Sequence, residues 1–286
     1  MVRRRLVAGA AVLAVAVAAW LFTSGSGRRL LGKADQHGAQ VATLTVDSKA
    51  VGRQLAVKVV VPAKARNPAP LLVFLHGRTG NESSELDSSM FAALAKLGAR
   101  APIIAFPNGG DHSYWHDRAD GKWGTYVTGE VIPQVEHLFK VDPSRVAIGG
   151  ISMGGFGAFD LARQNPGRFC AVGGHSPAIW ENGGETAPGA FDDAEDFARN
   201  DVVGSARTDP GAIARQPIWL DAGNSDPFLR GDAALVSALQ AGHADLTVKH
   251  WPGGHTHGYW SSHWNDYLSF YAGALQHCRH YVVAAR

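Results

Sequence analysis

The 286-residue sequence predicts an α/β protein, with a mostly parallel sheet of about eight strands and helices on both faces. Three observations predict it. From residue 41 onward, short apolar runs alternate with helical patterns. Most of those runs are almost continuously apolar, as strands covered on both faces are. The composition, 45% hydrophobic and 18% charged, supplies apolar surface for one large core and excludes disorder over most of the chain.

The N-terminus stands apart. Residues 1–33 hold Arg3, Arg4, Arg5, Arg28, Arg29 and Lys33 and no acid, and residues 6–22 form an uncharged run of 17. That run exceeds the roughly 7–15 apolar residues of a cleavable signal and reaches the short end of the roughly 17–25 that span a bilayer as a helix. Its small-residue pairs, such as Ala16 with Ala18, lie inside the apolar stretch. Residues 1–23 are therefore read as a signal peptide or membrane anchor, with an uncleaved anchor favoured and the leading arginines on the cytoplasmic side. A buried core helix is a poor alternative, because 6–22 offers no polar face. Residues 24–40 are polar and Gly-containing and read as a tether. Either reading places the main domain outside the cytoplasm.

Taking those six bases from the 27 in the chain leaves 21 against 25 acids, a balance of −4 for residues 34–286. This is not a polybasic surface, and a nucleic-acid partner is not expected. Two cysteines exclude a disulfide-dense scaffold and a four-cysteine zinc site. Cys170, in an apolar run, reads as a small buried hydrophobe. Pairing with Cys278 is the alternative outside the cytoplasm.

Runs 41–47 and 54–61, separated by Gly52-Arg53, suit an antiparallel pair. Runs 71–75, 103–106, 146–148, 169–172, 218–220 and 246–249 suit buried parallel strands. Helices are expected over 90–97, 128–139, 156–164, 232–240 and 264–275. The second opens on Thr128 as a cap, with Val131, Val135 and Leu138 on one face and Pro133 early enough to be tolerated. Residues 177–215 break the rhythm with glycines, prolines and a short acidic segment. They read as a lid-like insertion that overhangs a site.

Gly150-x-Ser152-x-Gly154 has the spacing of a nucleophile elbow. There a strand turns sharply into a helix, and the flanking glycines let neighbouring backbone approach. The bare pattern occurs by chance in Gly-rich chains, but here an apolar strand precedes it and an apolar helix follows. A serine hydroxyl is a weak nucleophile, so it needs a base, and the base an orienting acid. The chain order for such an elbow is serine, acid, histidine. Asp226, in the loop beyond the 218–220 strand, is the candidate acid, while Asp221 at the strand's end reads as structural. His255, after the glycine pair that follows the last strand, is the candidate base, with His257 a pocket-lining neighbour. His255-x-His257 with His263 has the residue type of a zinc site, but His255 is already required by the serine. An oxyanion needs fixed N–H donors, for which Met153 and Arg78 are the candidates, with Gly77 allowing the turn. His76 reads as a loop-supporting hydrogen bonder.

The segment from Gly149-Gly150-Ile151-Ser152-Met153-Gly154-Gly155-Phe156 through Asn165-Pro166-Gly167-Arg168-Phe169 resembles the esterase family of α/β-hydrolases. That family includes feruloyl and acetylxylan esterases, S-formylglutathione hydrolases (esterase D) and secreted mycolyltransferases. Leu75-His76-Gly77, Trp123-Gly124-Thr125-Tyr126-Val127, Asp226-Pro227, Gly254-His255 and Tyr259-Trp260 extend the likeness over roughly residues 41–275. The resemblance implies an α/β-hydrolase catalytic domain over 41–280, a triad of Ser152, Asp226 and His255, and oxyanion amides at Arg78 and Met153. Neither a metal nor an organic cofactor is implied. Two departures stand out: some members use Glu as the acid, and Arg78-Thr79 matches no one subfamily. Tyr114, Trp115 and Trp123 fall where substrate loops lie and would wall an acyl or aromatic group, with core packing the equal alternative. The expected function is an exported serine hydrolase cleaving a carboxylic ester, on a small molecule or linked to polysaccharide or lipid, through an acyl-enzyme. The alternative is a mycolyltransferase-like acyltransferase that passes the acyl group to a sugar or lipid hydroxyl. A non-catalytic binding protein on the same scaffold is disfavoured, because no triad candidate is missing.

Overall fold

The computed structural model describes residues 34–278. The expected signal or anchor, the first part of the tether and positions 279–280 of the expected domain lie outside the described residues. Eight strands form one sheet: β1 (Gln40–Ser48), β2 (Arg53–Val61), β3 (Ala69–Leu75), β4 (Ile103–Pro107), β7 (Val141–Ile151), β8 (Val172–His175), β9 (Ile218–Gly223) and β10 (Leu246–Trp251). A two-stranded hairpin, β5 (Asp117–Arg118) and β6 (Gly121–Lys122), lies outside it. The order is β1-β2-β4-β3-β7-β8-β9-β10. Within the eight-stranded sheet, β1–β2 and β2–β4 pair antiparallel and the other described pairings are parallel.

Period-two alternation along the central strands feeds two apolar layers. Leu71, Val73 and Leu75 of β3 enter one cluster, and Leu72 and Phe74 the other. The first cluster is closed by α3 (Ile132–Leu138), α4 (Met153–Gln164), α6 (Val202–Thr208) and α7 (Leu229–Ala241), the second by α1 (Ser88–Lys96) and α8 (His257–Gln276). Thus each face of the sheet is covered, as continuous apolar strands require.

Several boundaries differ from the sequence expectation, each for a tertiary reason. The helix expected from Thr128 begins earlier, at α2 (Trp123–Thr125), and runs through a π-helical turn (Tyr126–Val131) into α3. Its start is capped from the hairpin: the Asp117 carboxylate accepts the Thr125 N–H at 2.9 Å and the Thr125 hydroxyl at 2.6 Å. Thr128 is interior, and its hydroxyl bonds back to the Gly124 carbonyl at 2.9 Å. β8 lies three residues beyond the expected run and includes Gly173 and Gly174. A Cβ at Gly149 of β7 or Gly173 of β8 would collide with the Tyr271 hydroxyl, so the packing of α8 demands glycine there. Cys170 is not a lone hydrophobe: it forms a disulfide with Cys278, Cα atoms 5.1 Å apart, fastening the approach to β8 to the residues just past α8. Within 177–215, two short helices, α5 (Ala194–Arg199) and α6, are capped by the Asp193 and Asp201 side chains.

Candidate active site

Ser152 sits between β7 and α4 with φ 56° and ψ −116°, a conformation few non-glycine residues adopt. The turn is tight enough that a Cβ on Gly150 would meet the Gly154 backbone and the Leu75 carbonyl, each within 2.6 Å. Ser152 N–H donates to the His175 carbonyl at 3.1 Å, so the end of β8 holds the turn from the side.

Asp226 lies in the loop leaving β9, and His255 in the loop leaving β10. The two loops are stitched together: Asn224 N–H donates to the Trp251 carbonyl at 2.9 Å and Ser225 N–H to the Gly253 carbonyl at 2.8 Å. His255 Nδ1 lies 2.9 Å from Asp226 Oδ2, and His255 Nε2 lies 2.8 Å from Ser152 Oγ. A carboxylate opposite Nδ1 fixes the proton there, leaving Nε2 to accept the serine hydroxyl proton. Burial pushes the Asp226 carboxyl up, but hydrogen bonds from His255 and from the Phe228 N–H, 3.0 Å from Oδ1, outweigh it and hold the group below the usual range. The acid is thus an anion at neutral pH, able to stabilise a charged imidazole. Thr256, next in the chain, caps α8 through the Tyr259 N–H and fixes where the His255 loop ends.

The turn after β3 abuts the serine: a Cβ on Gly77 would lie 3.3 Å from Ser152 Cβ. Thr79 N–H donates to the Asp111 carbonyl at 3.0 Å and Gly80 N–H to the Gly77 carbonyl at 3.1 Å. Among the described residues, the N–H groups of Arg78 and Met153 have no backbone acceptor outside regular elements. His76 props this turn, its Nδ1 facing the Gly77 carbonyl at 2.8 Å and its Nε2 accepting the Gly109 N–H at 2.9 Å. Burial lowers its pKa, which suits a neutral ring with one donor and one acceptor.

The four candidate substrate contacts are not brought together. Trp115 is fully buried beneath the site, its ring against Gly109 and its Cβ against Gly157, and its indole N–H donates to the His76 carbonyl at 3.2 Å. Trp123 is buried beside the hairpin, with its N–H on Asp120 at 3.1 Å and the Arg53 guanidinium 5.0 Å from its ring. Both are packing residues, because their neighbours are glycines that leave room for a ring inside the molecule. His257, 60% exposed, points to Asp87 at 3.4 Å. Tyr114 is 2% exposed but joins an aromatic path that sequence reading missed: Tyr114 to Trp180 at 5.6 Å, Trp180 to Phe228 at 5.5 Å, and Phe228 to His255 at 5.1 Å. Trp260 lies on another side of His255, at 5.0 Å. Phe228, two residues past the acid, was the nearest available signal. The histidines weighed as zinc ligands diverge: His255 faces Ser152 and Asp226, His257 faces Asp87, and His263 stacks on Trp251 at 3.9 Å. No group of three or more metal-type side chains converges among the described residues.

A mostly parallel eight-stranded sheet, helices on both faces and a strained serine at a strand-to-helix turn define the α/β-hydrolase fold. Within that fold the chain belongs to the family described as "Putative esterase", whose model matches residues 48–271. It is 27% identical over 247 residues to "Esterase Rv1288" of Mycobacterium tuberculosis (strain ATCC 25618 / H37Rv), covering 73% of this chain and 54% of that protein. The chain thus spans about half the length of that relative. It is 26% identical to "Diacylglycerol acyltransferase/mycolyltransferase Ag85A" of Mycobacterium leprae (strain TN), over 83% of this chain and 85% of that protein. The solved S-formylglutathione hydrolase from Agrobacterium tumefaciens superimposes with a TM-score of 0.70 at 21% identity, covering 86% of this chain and 99% of that one.

Proposed function

We propose that this protein is an exported serine hydrolase that cleaves a carboxylic ester through an acyl-enzyme. One observation carries the reading: the unbroken hydrogen-bonded line from Asp226 through His255 to Ser152, at 2.9 and 2.8 Å, ending on a strained serine. Ser152 Oγ attacks the ester carbonyl carbon while His255 Nε2 takes its proton. The negative oxygen that forms is met by the N–H groups of Arg78 and Met153. The carbon–oxygen bond to the alcohol breaks as His255 returns the proton to the departing oxygen, leaving an ester on Ser152. Water repeats the attack with His255 again as base, releasing the acid and restoring the serine. Throughout, Asp226 holds the imidazole and balances its transient charge.

Phe228, partly buried and 5.1 Å from the His255 ring, supports an apolar surface for the acyl group beside the base, with Trp180 of the 177–215 segment and Tyr114 packed behind it. The arginine-flanked run 6–22 and the Cys170–Cys278 disulfide support an extracytoplasmic site of action, where such bonds persist. Likeness to Ag85A across most of both chains supports a second reading, acyl transfer, in which a sugar or lipid hydroxyl replaces water in the second half-reaction.

The test is fluorophosphonate labelling of the wild type and Ser152→Ala, with hydrolysis of short-, medium- and long-chain nitrophenyl esters and an added alcohol acceptor. Labelling and turnover that vanish together in the variant are expected, and the balance of acid to transferred ester separates the two readings. A folded wild type that neither labels nor turns over any ester would sink both.

A further inference from the structure

Beneath the three loops lies a polar centre that the proposed chemistry does not use. Asp221, at 0% exposure on β9, accepts four hydrogen bonds. His175 Nδ1 and Trp219 Nε1 donate to Oδ1 at 2.7 and 2.8 Å, and the Tyr259 and Tyr267 hydroxyls donate to Oδ2 at 2.9 Å each. With its proton on Nδ1, His175 accepts the Tyr271 hydroxyl at Nε2, 3.0 Å away. Burial, then the Asp221 charge, push the three tyrosine hydroxyls up, so all remain donors.

Each donor belongs to an element that carries the site. His175 ends β8, and its carbonyl accepts the Ser152 N–H at 3.1 Å; Ser176, next in the chain, donates its N–H to the Asp221 carbonyl at 2.6 Å. β9 continues directly into the Asp226 loop. Tyr259 sits in the first turn of α8, four residues after His255, and its ring faces Gly253, where a Cβ would lie 2.9 Å away. Tyr267 and Tyr271 extend the attachment about two and three turns further along α8. Apolar packing and the Cys170–Cys278 bond seat the far part of α8 on the sheet, whereas the hydrogen bonds to Asp221 tie its first turns to the strands that carry the serine and the acid. A buried carboxylate costs several kcal/mol unless its donors are all in place, so it specifies one placement.

Resting on the serine-hydrolase reading, we infer that Asp221 is a positioning residue: the nucleophile turn, the acid loop and the helix after the base are all keyed to this one carboxylate, which sets the spacing of Ser152, His255 and Asp226.

The experiment compares wild type, Asp221→Asn and Tyr259→Phe by the rate and the end-point stoichiometry of fluorophosphonate labelling, with kcat and KM on one nitrophenyl ester. The asparagine amide turns an N–H toward groups that are themselves donors, at nearly unchanged volume. A mere loss of folded protein lowers the end point; misplacement lowers the rate per labelled site. Asp221→Asn is expected to reach the wild-type end point about 100-fold more slowly, with kcat falling in parallel and KM unchanged, since a displacement near 1 Å costs about that factor. Tyr259→Phe, which removes one donor and decides the matter if Asp221→Asn does not fold, is expected to slow labelling about 10-fold per site. Unchanged rates per site in folded variants, or a loss confined to the end point, overturn the inference while a labelling wild type keeps the hydrolase reading. A wild type that never labels overturns both.

Discussion

Gly157, in the middle of α4, is where helix propensity and packing give opposite forecasts for a single methyl group. In an exposed helix, Gly→Ala gains about 1 kcal/mol. Here the new Cβ would overlap the Trp115 side chain, with the indole Cγ only 2.8 Å away. Trp115 has no route of retreat, since it is 0% exposed, its ring already presses on Gly109, and its N–H is bonded to the His76 carbonyl. Overpacking of this kind costs about 1–3 kcal/mol, and a ring trapped on both sides belongs at the upper end. The net expectation for Gly157→Ala is a loss of about 2 kcal/mol, read from the urea midpoint at unchanged m-value. Because Trp115 holds His76, and His76 holds the Gly77-Arg78 turn, the folded variant should also label with fluorophosphonate more slowly than wild type. Stability equal to or above wild type would refute the reasoning, since it would mean that the Trp115 site has slack.

Two further outcomes are expected. Cys170→Ser with Cys278→Ser opens a cross-link between residues 108 apart, for which chain entropy sets a ceiling of about 5 kcal/mol. The unfolding free energy from urea titration should fall by a few kcal/mol, with activity of the folded variant retained because Cys170 lies at the strand ends opposite the triad loops; a loss below about 1 kcal/mol counts against the entropic account. Glu85, 6% exposed, has its carboxyl pushed up to about 7 from 4.5 by burial and then by the Asp87 charge. Its neutral form suits the folded state, so the associated stability is complete below about pH 4.5 and lost as pH rises through 7, on the order of 3 kcal/mol in all. Glu85→Gln should therefore flatten the fall in urea midpoint between pH 5 and 9, and equal slopes for the two proteins would show that the carboxyl is not held neutral.

What could be read from the sequence was what is local. The parallel strands announce themselves because burial on both faces writes continuous apolar runs, and β3 and β4 match their runs closely. The Ser152 turn is legible because a strained strand-to-helix corner demands glycines at fixed offsets. Asp226 and His255 follow from chain order and from loops placed just after strands, and the structure brings both within hydrogen-bonding distance of their neighbours. What could not be read depends on residues far apart in the chain. β8 carries Gly-Gly-His, which resembles a loop until Tyr271, nearly a hundred residues on, is seen to need the space. The start of α2 is capped by Asp117 across a hairpin, so no adjacent cap residue marks it. Trp115 and Trp123 look like loop aromatics and prove to be core, because exposure is decided by glycines elsewhere. Asp221 reads as structural from its place at the strand's end, but its four donors lie 2 to 46 residues away with no common spacing.

The disulfide has a topological consequence. Residues 182–185 form an exposed stretch between the serine's half of the chain and the half that holds Asp226 and His255. A protease cutting there would divide the nucleophile from its acid and base. Cys170 lies on one side of that cut and Cys278 on the other, so the two fragments would stay covalently joined and held in the same sheet. The nicked protein would run as one species without reductant and as two with it.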